Sequence, residues 1–92
     1  MNTTKLIEQN SALLHALGHP IRYCIVEQLI NNSSNVNAMV NCLNVPQPTI
    51  SQHLQLLKSA GIIEGKRDGK EIFYHVINED AVKVIKVLNI EN

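Results

Sequence analysis

Two short runs of helix-spaced apolar residues meet at Asn44-Val45-Pro46, and that break limits what the chain can build. Before it, Met39 and Leu43 stand at i and i+4; after it, Ile50, Leu54 and Leu57 recur at i, i+4 and i+7. Such spacing puts each set on one face of a helix. Pro46 does not extend the first helix, whereas Pro48 suits the first turn of the second, where its missing N–H is one that a helix start leaves unpaired anyway. The sequence therefore predicts a short helix over about 37–43, a tight turn, and a helix over about 48–60 whose inner face shares the same core. Gly61 follows as a C′ residue.

The flanking segments fit around this pair. Leu6, Leu13 and Leu17, widened by Ile7 and Leu14, define an amphipathic helix over about 4–17 that Gly18 breaks. His19-Pro20 opens another, with Ile21, Ile25 and Leu29, and also Val26 and Ile30, as its buried stripe. The run 31–35 is a loop by its turn chemistry. Downstream, 62–67 and 71–77 flank Asp68-Gly69, a strong short-range hairpin signal. In the last helix, over about 79–89, Ala81, Val84, Ile85 and Leu88 cover one face while Val82, Val87 and Ile90 point elsewhere. A helix apolar on two sides needs two partners: its own domain and a second chain. The expected fold class is mainly α with a two-stranded β-wing, in the order α-α-α-α-β-β-α, as one domain over 1–92.

Composition narrows the function. A chain of 92 residues, 45% apolar and 17% charged, is neither disordered nor membrane-spanning. It has little room for both a core and an enclosed pocket, and no Ser–His–Asp set, phosphate-cradling glycine loop or acid pair stands out. No enzyme activity and no cofactor are expected. The N-terminus lacks the apolar stretch of a secretory signal, and Cys24 and Cys42 are too few for a disulfide scaffold, so a cytoplasmic location is expected.

Eight Lys and Arg balance eight Asp and Glu, whereas many nucleic-acid binders are basic. The distribution says more than the sum. No charged residue lies between Gln28 and Leu57, and Lys58, Lys66, Arg67 and Lys70 follow against Glu64 and Asp68. Opposite Ile50, Leu54 and Leu57, the helix over 48–60 turns out Pro48, Ser51, Gln52, Gln55 and Ser59, flanked by Thr49 and Leu56. Solvated helix faces usually mix Lys and Glu for solubility; a face of amides and hydroxyls without a carboxylate suits an approaching polyanion. Gln47, Thr49, Ser51, Gln52 and Gln55 are the types that meet base edges and phosphates in a major groove, and Lys66, Arg67 and Lys70 would meet the phosphate backbone or minor groove.

The stretches "ALGHPIRYCIVEQL" and "VPQPTISQHLQLLKSAGIIEGKRDGKEIFYHV" resemble the ArsR/SmtB family of dimeric winged-helix transcriptional repressors, in particular its short members without metal sites. The resemblance runs from about Leu13 to the C-terminus. It implies a homodimer built from the first and last helices, here through Leu6, Leu13, Val84 and Leu88, that binds an imperfect palindromic operator in double-stranded DNA. Its recognition-helix motif falls on Gln47, Pro48, Ser51 and Gln52. The family's metal sites are not matched: a Cys-x-Cys-Asp site corresponds to Asn35, Val36, Asn37 and Ala38, and a site on the last helix to Asn78, Asp80 and Glu91, so no metal is expected.

Other readings stay open. Cys24 and Cys42 could form a redox gate, Cys42 being the more outward, or could be small buried hydrophobes. Zero net charge also admits a protein-interaction module that kept the winged scaffold without DNA. His53 reads as a structural histidine at the edge of its helix's apolar face, and Arg22 as an anchor to a carboxylate or a carbonyl. Tyr74 is packed or hydrogen-bonded within the wing.

Overall fold

The computed structural model describes residues 3–90. Its elements follow the expected order: α1 (Thr3–Leu17), α2 (Pro20–Asn31), α3 (Val36–Leu43), α4 (Gln47–Ser59), β1 (Ile63–Asp68), β2 (Glu71–Val76) and α5 (Glu79–Leu88). α2 is the hub and touches α1, α3, α4, α5 and β2. Its Ile25, Val26 and Leu29 pack with Met39 of α3, with Ile50, Leu54 and Leu57 of α4, and with Ala81 and Ile85 of α5. Burying side chains of this size contributes about 1.5–3 kcal/mol each.

Local chemistry sets the boundaries. His19 caps α2, its Nδ1 accepting from the Ile21 N–H at 3.1 Å, with Pro20 in the first turn. Asn35 caps α3 and Asn78 caps α5, each side-chain oxygen accepting an N–H at 2.9 Å. α3 ends on Asn44 in the left-handed region at φ 55°, a conformation Asn tolerates better than most residues. α4 ends in a Schellman motif: Ile62 N–H donates to Leu57 C=O and Gly61 N–H to Lys58 C=O, both at 3.0 Å, with Gly61 at φ 74°. The hydrophobic contact typical of that motif is supplied by Leu57 and Ile62, both fully buried.

Three details differ from the sequence reading. The hairpin loop is Gly69-Lys70, not Asp68-Gly69, because Asp68 still pairs with Glu71. With positive φ at Gly69 alone, glycine takes the first loop position, as in a type II′ turn. The predicted loop at 31–35 is not free of pairing either: Ser34 and Tyr74 exchange backbone hydrogen bonds of 3.1 and 2.8 Å, which adds a one-residue third strand beside β2. Finally, Leu88 does not share the burial of Ala81 and Ile85, being 65% exposed, because α5 runs past the edge of the core.

Candidate nucleic-acid interface

α4 separates its two faces cleanly. Ile50, Leu54 and Leu57 are buried, and Gln47, Pro48, Ser51, Gln52, Gln55 and Ser59 are exposed on the other side, with Thr49 half-buried between. The side chains of Gln47, Ser51, Gln52 and Gln55 have no hydrogen-bond partner among the described residues. Water alone satisfies them, and a duplex edge offering donors and acceptors can replace that water. The face carries no charge that would repel a phosphate backbone.

The hairpin divides the cations the sequence had grouped. Lys66 pairs across the ladder with Phe73, and Arg67 with Ile72, so neighbouring residues put their charges on opposite faces of the wing. Lys70 sits in the loop and lines a groove with Gln47, Asn35, Asn37 and Glu71. The structure thus brings Lys70 beside the start of α4 and leaves Lys66 and Arg67 facing apart. All three are exposed. Gly65 keeps the wing thin on its inner side, where a Cβ would lie 2.6 Å from Ile72 Cγ2 and 3.0 Å from Tyr74 Cε1.

Other candidates fall into place around this face. Tyr74 packs against the core. His75 Nε2 lies 2.9 Å from Glu64 Oε1, a cross-strand pair on the wing. Arg22, 7% exposed, donates from Nε to Ala16 C=O at 2.7 Å and from Nη2 to His15 C=O at 3.1 Å, which settles the carbonyl alternative. His53 points inward, its ring 4.5 Å from that of His19. Burial, then His19, then Arg22 hold the His53 imidazole below its ordinary 6.5, toward the neutral form.

The positions matching the family's metal sites carry helix caps. Asn35 caps α3 and donates through Nδ2 to Glu71 Oε2 at 3.0 Å. Asn78 caps α5, Asp80 is exposed in its first turn, and Glu91 lies outside the described residues. Among the described residues no three His, Cys, Asp or Glu cluster to hold a metal ion. Cys24 is half-buried and Cys42 exposed, both as free thiols.

A second surface lies away from α4. Leu6 and Leu88 are exposed, and Leu13 and Val84 are half-buried and share a groove between α1 and α5 with Leu14, Asp80 and Lys83. Val87 and Ile90, on the side of the last helix that the sequence left for a second chain, are 64% and 67% exposed, and Ile7 and Leu14, which the sequence placed only on the apolar side of the first helix, are 60% and 57% exposed. Their signal was present as apolar residues on the outward sides of two amphipathic helices. None of the described helices is long and apolar enough to cross a membrane.

Comparison with known proteins agrees with this geometry. The model of the bacterial regulatory protein, arsR family, matches residues 19–65. The HTH-type transcriptional repressor SmtB of Mycobacterium tuberculosis is 37% identical over 81 residues, and the matched region spans 88% of this chain but only 60% of that protein. The transcriptional repressor PagR of Bacillus anthracis is 34% identical over 90% of this chain and 84% of its own. The crystal structure of PagR superposes with a TM-score of 0.85 at 33% identity, covering 94% of this chain and 99% of that one. The homodimeric winged helix-turn-helix DNA-binding domain of a possible ArsR-family regulator from Mycobacterium bovis gives a TM-score of 0.83 at 27% identity, over 96% of this chain and 83% of that one. With the helix pair, the wing and nearly the whole chain aligned to such regulators, the chain belongs to the ArsR family of bacterial regulatory proteins.

Proposed function

We propose that this chain is a dimeric DNA-binding transcriptional repressor, not an enzyme, that acts in the cytoplasm on a palindromic operator. The observation that carries the reading is the uncharged amide-and-hydroxyl face of α4, exposed and without hydrogen-bond partners among the described residues. Ser51, Gln52 and Gln55 read base edges in the major groove, glutamine pairing bidentately with adenine, while Gln47 and Thr49 hold phosphates beside them. Pro48 starts the helix without presenting a charge. Lys66, Arg67 and Lys70 contact the backbone from the wing and carry affinity more than sequence. Repression by the SmtB and PagR relatives and the homodimeric state of the mycobacterial domain support the same reading for this chain.

The dimer forms through α1 and α5, with Leu6, Leu13, Val84 and Leu88 at its centre. Two recognition helices then reach half-sites about one helical turn, or a multiple, apart. Bound dimers exclude polymerase from the promoter.

Selecting duplexes from a random library with the purified protein, and repeating the binding across a salt series, tests this. A palindromic consensus whose affinity falls steeply with salt is expected. A folded dimer that ignores every duplex at low salt overturns the reading and favours the protein-interaction module that zero net charge allows.

A further inference from the structure

Arg22 is buried on α2 and makes three contacts to two other helices. Two of its nitrogens hold the carbonyls of Ala16 and His15 at the end of α1, and the third, Nη1, lies 3.4 Å from His53 Nδ1 on α4. A guanidinium only donates, so His53 Nδ1 accepts and its ring proton sits on Nε2. Among the described residues no carboxylate comes within ion-pair distance of Arg22. Its charge is compensated instead by carbonyls at the negative end of α1, of which His15 C=O also accepts from Gly18 N–H at 3.2 Å, and by a neutral imidazole. The groups facing His53 are His19 and Arg22; α1 contributes only main-chain carbonyls through Arg22, and α4 itself has no other ionisable side chain before Lys58.

α1 carries the apolar flank that the dimer covers, and α4 carries the groove-reading face. Resting on that DNA-binding reading, we infer that Arg22 is a positioning residue: clamped on the end of α1 and on His53, it fixes the recognition helix relative to the dimer axis and so sets which half-site spacing the dimer accepts. A planar fork with several fixed donors suits this task, and a lysine ammonium cannot span the three acceptors in the same geometry.

The test uses the palindrome selected by the wild-type protein and versions with the spacer lengthened or shortened by one base pair. Wild type is expected to lose roughly tenfold in affinity on the altered spacers. His53→Leu removes the acceptor, and Arg22→Lys the fork; both are expected to bind all spacers with similar affinity. His53→Asn, whose Oδ1 can take the place of Nδ1, is expected to restore discrimination. Wild type is also expected to lose discrimination on acidification, as protonation of Nδ1 removes the acceptor, while His53→Asn holds it. A destabilised protein would lower affinity on every spacer without changing the ratios, so the ratios separate positioning from folding. If Arg22→Lys does not fold, the His53 pair still decides. Unchanged ratios in His53→Leu, with wild type discriminating normally, overturn this inference and leave the DNA reading standing. Failure of wild type to select any duplex removes the DNA reading first, and this inference with it.

Discussion

The outer face of α4 and the flank of α1 and α5 are both open to water, and they are chemical opposites. On α4, amides and hydroxyls are hydrogen-bonded by solvent, so exposure costs the free chain nothing. Only a partner that replaces those waters bond for bond gains a hold there. On the flank, Leu6, Ile7, Leu14, Val87, Leu88 and Ile90 are 40–67% exposed, and each forgoes part of the about 1.5–3 kcal/mol that full burial brings until something dry covers it. In the proposed repressor, one surface discriminates without adhering and the other adheres without discriminating. A regulator that must assemble always but bind only at chosen sites needs both, kept apart on different helices.

This contrast can be broken from the largest effect downward. Leu88→Glu puts a charge into the flank; sedimentation is expected to show monomers, and operator affinity to fall about 10²–10⁴-fold because the second half-site no longer contributes. Should Leu88→Glu remain dimeric and bind normally, the flank is not the interface. On the two sides of α4, Leu54→Ala is expected to lower unfolding free energy by about 2–5 kcal/mol in a urea titration. Gln52→Ala, by contrast, leaves that titration unchanged and weakens the selected operator by about 1–3 kcal/mol, measured by fluorescence anisotropy. A stability loss in Gln52→Ala would mean that the outer face is not outer. Arg67→Ala is expected to weaken all sequences alike and to reduce the salt slope by about one; loss confined to the operator would give Arg67 a base contact instead.

The smallest effect is a pH dependence. Because the folded chain holds His53 below its ordinary 6.5, the unfolded chain takes up that proton first as pH falls. This contribution to stability is whole above about pH 6.5, declines as pH drops through 6.5 toward the lowered value, and levels off below it. Melting temperatures of wild type are therefore expected to fall more than those of His53→Asn over that window, and parallel curves would contradict it.

Helix positions were legible because caps and apolar spacing agreed. Pro20, Asn44 and Gly61 each mark a boundary by local chemistry, and α4's two faces follow from angle alone. What escaped was set by distance through space. Leu88 repeats the period of Ala81 and Ile85, but a period does not say where the core stops. Asp68-Gly69 carried a familiar turn signature, yet strand pairing ran one residue further and moved the glycine within the loop. The bridge from Ser34 to Tyr74 and the reach of Arg22 to both α1 and His53 depend on how helices cross, which no local pattern encodes.

The small bridge at Ser34 has a consequence for behaviour at high concentration. It pairs Tyr74 on the margin of β2, whereas among the described residues no third strand lies beside the margin of β1. That margin carries Glu64, Lys66, Arg67 and Asp68 in near succession, and bringing two such strands together would crowd like charges. Charges at that margin oppose edge-to-edge pairing of a wing that stays thin and exposed.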